Sequence, residues 1–74
     1  MTFEELLDQA CTIAHLPEMA RIQLPVVLSD KTKKKVLQLS PEELGQMLSV
    51  AIDEINQGSV KSIDILIREY LLSR

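Results

Sequence analysis

The stretch from Val60 to Leu72 holds more apolar residues than one face of a helix can carry. Ile63, Leu66, Ile67, Tyr70 and Leu71 recur at three- and four-residue spacing and make one stripe. Ile65 and Leu72, seven apart, extend the apolar surface well beyond it. Such a helix must be covered on more than one side, by the N-terminal helix of the same chain or by another molecule. A chain of 74 residues has material for one compact core and no second domain. Domains of this size are marginal alone and commonly recruit a disulfide, a metal or another subunit. Cys11, the single cysteine, has no internal partner for a disulfide. A homodimer is therefore the natural expectation, because a symmetric pair covers the same patch on both copies at once.

Helix signals recur along the rest of the chain. Thr2 followed by Glu5 is a capping box, and Phe3, Leu6, Leu7, Ala10, Ile13 and Ala14 line one stripe of a helix over about residues 3–16. Pro17 interrupts it and opens a second, short helix over residues 17–24, ended before Pro25. Ser40-Pro41-Glu42-Glu43 supplies an N-cap, a first-turn proline and a capping-box glutamate, so a helix over residues 41–56 follows. Leu44, Met47, Leu48, Ala51, Ile52 and Ile55 form its apolar face, and Asn56-Gln57-Gly58 reads as its stop. Ser59 or Ser62 then caps the last helix.

Residues 25–39 are ambiguous between helix and strand. A strand over residues 34–39 is favoured because Leu37 and Leu39 alternate with Gln38, and because a helix begun at Lys31 would crowd four cations at its positive end. The expected fold is mainly α, one domain of four to five short helices. It divides into an N-terminal helical segment (1–24), a connecting segment with the basic cluster (25–40) and a two-helix C-terminal unit (41–74). The short strand at 34–39 would pair across a dimer.

The net charge of −3 conceals a division. Residues 1–30 set Arg21 alone against Glu4, Glu5, Asp8, Glu18 and Asp30, whereas four of the lysines fall between Lys31 and Lys35. A basic cluster beside acidic surroundings can face phosphate, or simply solvate a loop. No signal-peptide pattern opens the sequence and no apolar run approaches the roughly 20 residues that cross a bilayer, so a cytoplasmic protein without a membrane partner is expected. Catalysis finds no support. Cys11 and His15, four apart, are too few to close a zinc site, and Glu42 and Glu43, as neighbours on a helix, point apart. Gly45 and Gly58 are the only glycines, which leaves no phosphate loop, and Phe3 and Tyr70 are the only aromatics, which argues against base stacking. No enzyme, cofactor, metal or small-molecule substrate is expected.

Lys34-Lys35-Val36-Leu37-Gln38-Leu39, then Ser40-Pro41-Glu42-Glu43-Leu44, Gly58, Ser62 and Ile67-Arg68-Glu69-Tyr70-Leu71 resemble the ribbon-helix-helix DNA-binding family over about residues 33–72. The resemblance implies a dimer whose paired strands enter the major groove of double-stranded DNA, as in a repressor or an antitoxin that regulates transcription. It implies that Lys34, Val36 and Gln38 face base edges, with Gln38 suited to adenine, and that Lys61 and Ser62 meet phosphate. Leu37 and Leu39 would then face the dimer core, beside Ile63, Ile65, Leu66, Tyr70 and Leu72. The alternative is a non-enzymatic helical adaptor that holds another protein, through the N-terminal helix or its surplus apolar face, without DNA.

Overall fold

Four of the five helices among the described residues start at a hydroxyl side chain that replaces the missing acceptor for a first-turn amide. In a computed structural model, which describes residues 2–73, Thr2 caps α1 (Phe3–Ile13), Ser29 caps α3 (Asp30–Val36), Ser40 caps α4 (Pro41–Asn56) and Ser62 caps α5 (Ile63–Leu72). Each hydroxyl accepts from the amide three residues on, at 3.2–3.3 Å. Thr2 with Glu5 and Ser40 with Glu43 complete both capping boxes foreseen in the sequence. The remaining helix, α2 (Glu18–Val27), follows Pro17 and has no side-chain cap. The protein is all-helical among the described residues.

The structure departs from the expected elements in four places. The strand over residues 34–39 is not formed: Lys34, Lys35 and Val36 close α3, and Leu37, Gln38 and Leu39 make the turn into α4. The argument from crowded lysines fails because α3 starts at Asp30, not Lys31. In so short a helix Lys33, Lys34 and Lys35 occupy the last turn, where the helix dipole favours cations, and Asp30 takes the first. Next, α2 runs through Pro25 to Val27 and closes with the Leu28 amide on the Leu24 carbonyl at 3.0 Å. The ring removes one hydrogen bond but does not stop the helix. Finally, α1 ends at Ile13 and α5 begins only at Ile63, leaving Val60 fully exposed.

Two helix ends share one motif with different residues. After α4 the Ser59 amide reaches back to Glu54 and the Gly58 amide to Ile55, both at 3.0 Å, with Gly58 at φ 97°. After α1 the Leu16 amide reaches Cys11 at 3.0 Å and the His15 amide reaches Thr12 at 3.3 Å, with His15 at φ 55°. Both are Schellman turns, in which glycine is the least strained occupant. The sequence marks the first with Gly58 and conceals the second behind histidine.

The core forms where α1 crosses α4, the most extensive contact in the molecule. Leu6, Leu44, Leu48 and Ile67 are the largest fully buried side chains. Gly45 lets the two backbones approach: a Cβ there would lie 2.9 Å from the Ala10 carbonyl oxygen and 3.3 Å from the Ala14 methyl. On this pair α5 packs against α4, α3 fits against α5 and α1, and α2 leans on α1. The Cα radius of gyration is 11.0 Å, close to the ~11 Å of a compact globule of this length.

Candidate functional site

The residues expected to meet DNA do not share a surface of one kind. Lys34 and Gln38 are exposed, but Val36, expected at a base edge, is completely buried in the core. Lys61 is held by Glu69 through two contacts of 2.9–3.0 Å, and the Ser62 hydroxyl is occupied in capping α5. The residues expected at a dimer interface also separate. Leu39 and Leu66 are buried within the chain itself, Ile63 and Tyr70 are half-buried, and Leu37, Ile65 and Leu72 remain exposed. The Tyr70 hydroxyl donates to Glu54 at 2.6 Å, and that carboxylate pushes its pKa up to about 12. Cys11 is buried, which raises its thiol pKa, and His15 lies beyond the end of α1. The described residues contain no group of three or more side chains able to hold a metal.

The polar residues of α5 clamp it to the start of α3, while its surplus apolar residues Ile65 and Leu72 stay exposed. The Ser29 amide donates to the Asp64 carboxylate at 2.9 Å, and Arg68 donates to Thr32 at 3.2 Å and to Ser29 at 3.4 Å while pairing with Asp64 at 3.4 Å. Thr32 is wholly buried, yet its hydroxyl is satisfied from Arg68 and Ser29. Burial works to raise the Asp64 carboxyl, but the Ser29 amide, the Thr32 hydroxyl and Arg68 outweigh it and hold it below the ordinary value.

A run of exposed apolar side chains lies elsewhere, on α2. Ala20, Leu24 and Leu28, at four-residue spacing, point into the core. Met19, Ile22 and Val26, at i, i+3 and i+7, form a second stripe on the outer side and are 57%, 61% and 82% exposed. Their neighbour Val27 is also exposed. Beside this stripe a groove of about 270 Å³ opens between α2, the end of α4 and the start of α5. Met19, Gln23 and Val27 line one bank, and Ile52, Ile55 and Ile63 line the other. No charged side chain lines it. Sequence reasoning missed this face because it stopped α2 before Pro25, which removed Val26 and Val27 from the helix. Had the helix been continued through the proline, the spacing of Met19, Ile22 and Val26 would have shown the second stripe.

Two further hollows are more polar. One, around the turn after α4, is bounded by Glu54, Gln57, Lys61, Glu69 and Tyr70. The other, along α4, is bounded by Glu43, Gln46, Met47, Val50 and Tyr70. In both, the Tyr70 hydroxyl is already committed to Glu54.

Compared with known proteins, the chain matches no protein-family model, no curated protein and no solved structure. No helix among the described residues is long and apolar enough to cross a membrane.

Proposed function

We propose that this protein is a non-enzymatic interaction module that docks an amphipathic helix of a partner against α2 and the groove beside it. The observation that carries the reading is the outer stripe of α2. Isolated exposed aliphatic residues are ordinary on protein surfaces, but Met19, Ile22, Val26 and Val27 are exposed together on one helix, and Met19 and Val27 also line an apolar groove. Helix-in-groove recognition uses this arrangement, with aliphatic anchors at three- and four-residue spacing on the incoming helix. The groove is of the right size for such anchors: an apolar cavity of about 150 Å³ accommodates a benzene, so about 270 Å³ takes one or two large side chains.

Titrating the isotopically labelled protein with a capped, uncharged amphipathic peptide tests this. Amide shift changes are expected on α2 and around Ile52, Ile55 and Ile63, and shifts confined to other helices would defeat the reading. The ribbon-helix-helix reading requires an extended backbone over residues 34–39, where the chain holds a helix and a turn. Exposed Lys31, Lys34 and Lys35 remain the observation in its favour. Binding of duplex DNA that weakens steeply with salt, and whose salt slope flattens in Lys34→Ala with Lys35→Ala, would restore it.

A further inference from the structure

The α2 groove leaves two features of the chain unused, the lysine cluster of α3 and the surplus apolar residues of α5, and they meet where these two helices pack. We infer that the outer side of this seam is a second interaction surface, which takes an acidic, aliphatic-bearing segment of another protein. Arg21 pairs with Asp8, Arg68 with Asp64 and Lys61 with Glu69, while Lys33 stands 5.6 Å from the centre of the Phe3 ring. Lys31, Lys34 and Lys35 are exposed and make no ion pair with a described residue. At i, i+3 and i+4 they share one face of α3. Within the chain the arrangement is repulsive. Like charges stand one turn apart, and Lys31 occupies the first turn, where the helix dipole disfavours a cation. An anion from outside relieves both.

Contacts on both flanks of α3 fix how this face is turned. Lys33 reaches Phe3 of α1 and Thr32 receives Arg68 of α5, so at about 3.6 residues per turn the outward positions run from α1 to α5 as Asp30, Lys34, Lys31 and Lys35. Lys31 and Lys35 therefore border α5, and Asp30, the only carboxylate of α3, lies toward α1. On α5 the burial of Leu66 and Ile67 turns Ile65 and Leu72 outward, at 45% and 79% exposure. Arg68 and Asp64 lie on the α3 side of that pair and are bound to each other, to Ser29 and to Thr32. Glu69, paired with Lys61, lies on the far side.

The occupant is narrow and part apolar. α3 is only about 10 Å long, and Asp30 and Glu69 bound the surface on its two sides. A duplex or an anionic bilayer would overlap those carboxylates, whereas one segment lying along the seam meets the lysines and aliphatic side chains between them. Ile65 and Leu72 also have nothing to gain from phosphate. Phe3 is buried and the Tyr70 hydroxyl is committed to Glu54, so no exposed ring among the described residues offers base stacking.

Peptides of about 15 residues, long enough to hold a helix, test this when titrated into the isotopically labelled protein: one leucine stripe flanked by Glu, by Gln or by Lys. The readout is the amide shifts of Lys35, Ile65 and Leu72. There the Glu peptide is expected to bind about tenfold tighter than the Lys peptide, as two surface ion pairs allow, with the margin shrinking in salt. The exposed double variant Lys31→Gln with Lys35→Gln should erase that margin. Ile65→Gln with Leu72→Gln should weaken all three peptides at these amides while shifts on α2 persist. Equal affinity of the Glu and Lys peptides at the seam, or shifts on α2 alone, would overturn the inference and leave the α2 reading standing. Binding confined to duplex DNA or to phosphatidylserine vesicles would overturn it by naming a polyanion or a bilayer. Seam shifts that grow with protein concentration and need no peptide would overturn it by naming a second copy.

Discussion

Helices α2 and α5 have the same length and opposite fates. In the sequence α5 is the helix with apolar residues to spare; in space it leaves Ile65 and Leu72 exposed, and α2 leaves a whole outer stripe. The difference lies in what each has to lean on. α5 packs its Leu66 and Ile67 into the core, ties Tyr70 to Glu54 and fastens Asp64 and Arg68 to the first turn of α3. α2 rests chiefly on α1 through Ala20, Leu24 and Leu28, and its outer stripe meets nothing. The number of apolar residues on a helix thus says how much cover it wants, while the placement of neighbouring helices decides how much it receives.

The contrast can be broken most forcefully in the core. Ile67→Ala should cost about 3–4 kcal/mol, read as a lower urea midpoint, and Leu24→Ala on α2 should cost about 1 kcal/mol less because the loosely held helix can settle into the gap. Equal losses would mean that α2 is as firmly integrated as α5. Gly45→Ala acts beneath both, forcing α1 away from α4 against the Ala10 carbonyl, and should destabilise by about 1–3 kcal/mol.

A smaller effect isolates the clamp. Asp64→Ala should cost about 1–2 kcal/mol and should free α5 from α3 without touching α2. Because the folded carboxyl titrates below its unfolded value, the contribution is complete above about pH 5 and disappears as the pH falls through the folded value. Acid unfolding of the wild type should accordingly be steeper than that of Asp64→Ala, and identical acid transitions would show that the clamp contributes nothing. Smallest of all, Ile22→Gln on the outer face should change stability by less than about 0.5 kcal/mol. A larger loss in thermal unfolding would mean that the stripe is covered by a second copy in solution.

Much of the fold is legible in the sequence because helix starts are chemically explicit. Thr2 with Glu5 and Ser40 with Glu43 announce α1 and α4, the pair on which everything else packs, and Gly58 announces the end of α4. Less legible were features where a residue acts against its usual tendency. His15 takes the left-handed position that glycine generally fills, Pro25 sits inside a helix, and three lysines close a helix that Ser29 and Asp30 open. The candidate site was harder still, since an outer stripe is recognised only once the helix bearing it has been extended through its proline.

Pro25 leaves one rung out of α2, so the helix has no amide at that position to hold the Arg21 carbonyl. The proposed recognition element is therefore a helix that lacks one of its own backbone hydrogen bonds, and some of any partner's grip is spent keeping it wound. Preorganisation becomes adjustable from a position that need not touch the partner: Pro25→Ala should tighten docking, chiefly through faster association, because the competent form would be populated more of the time.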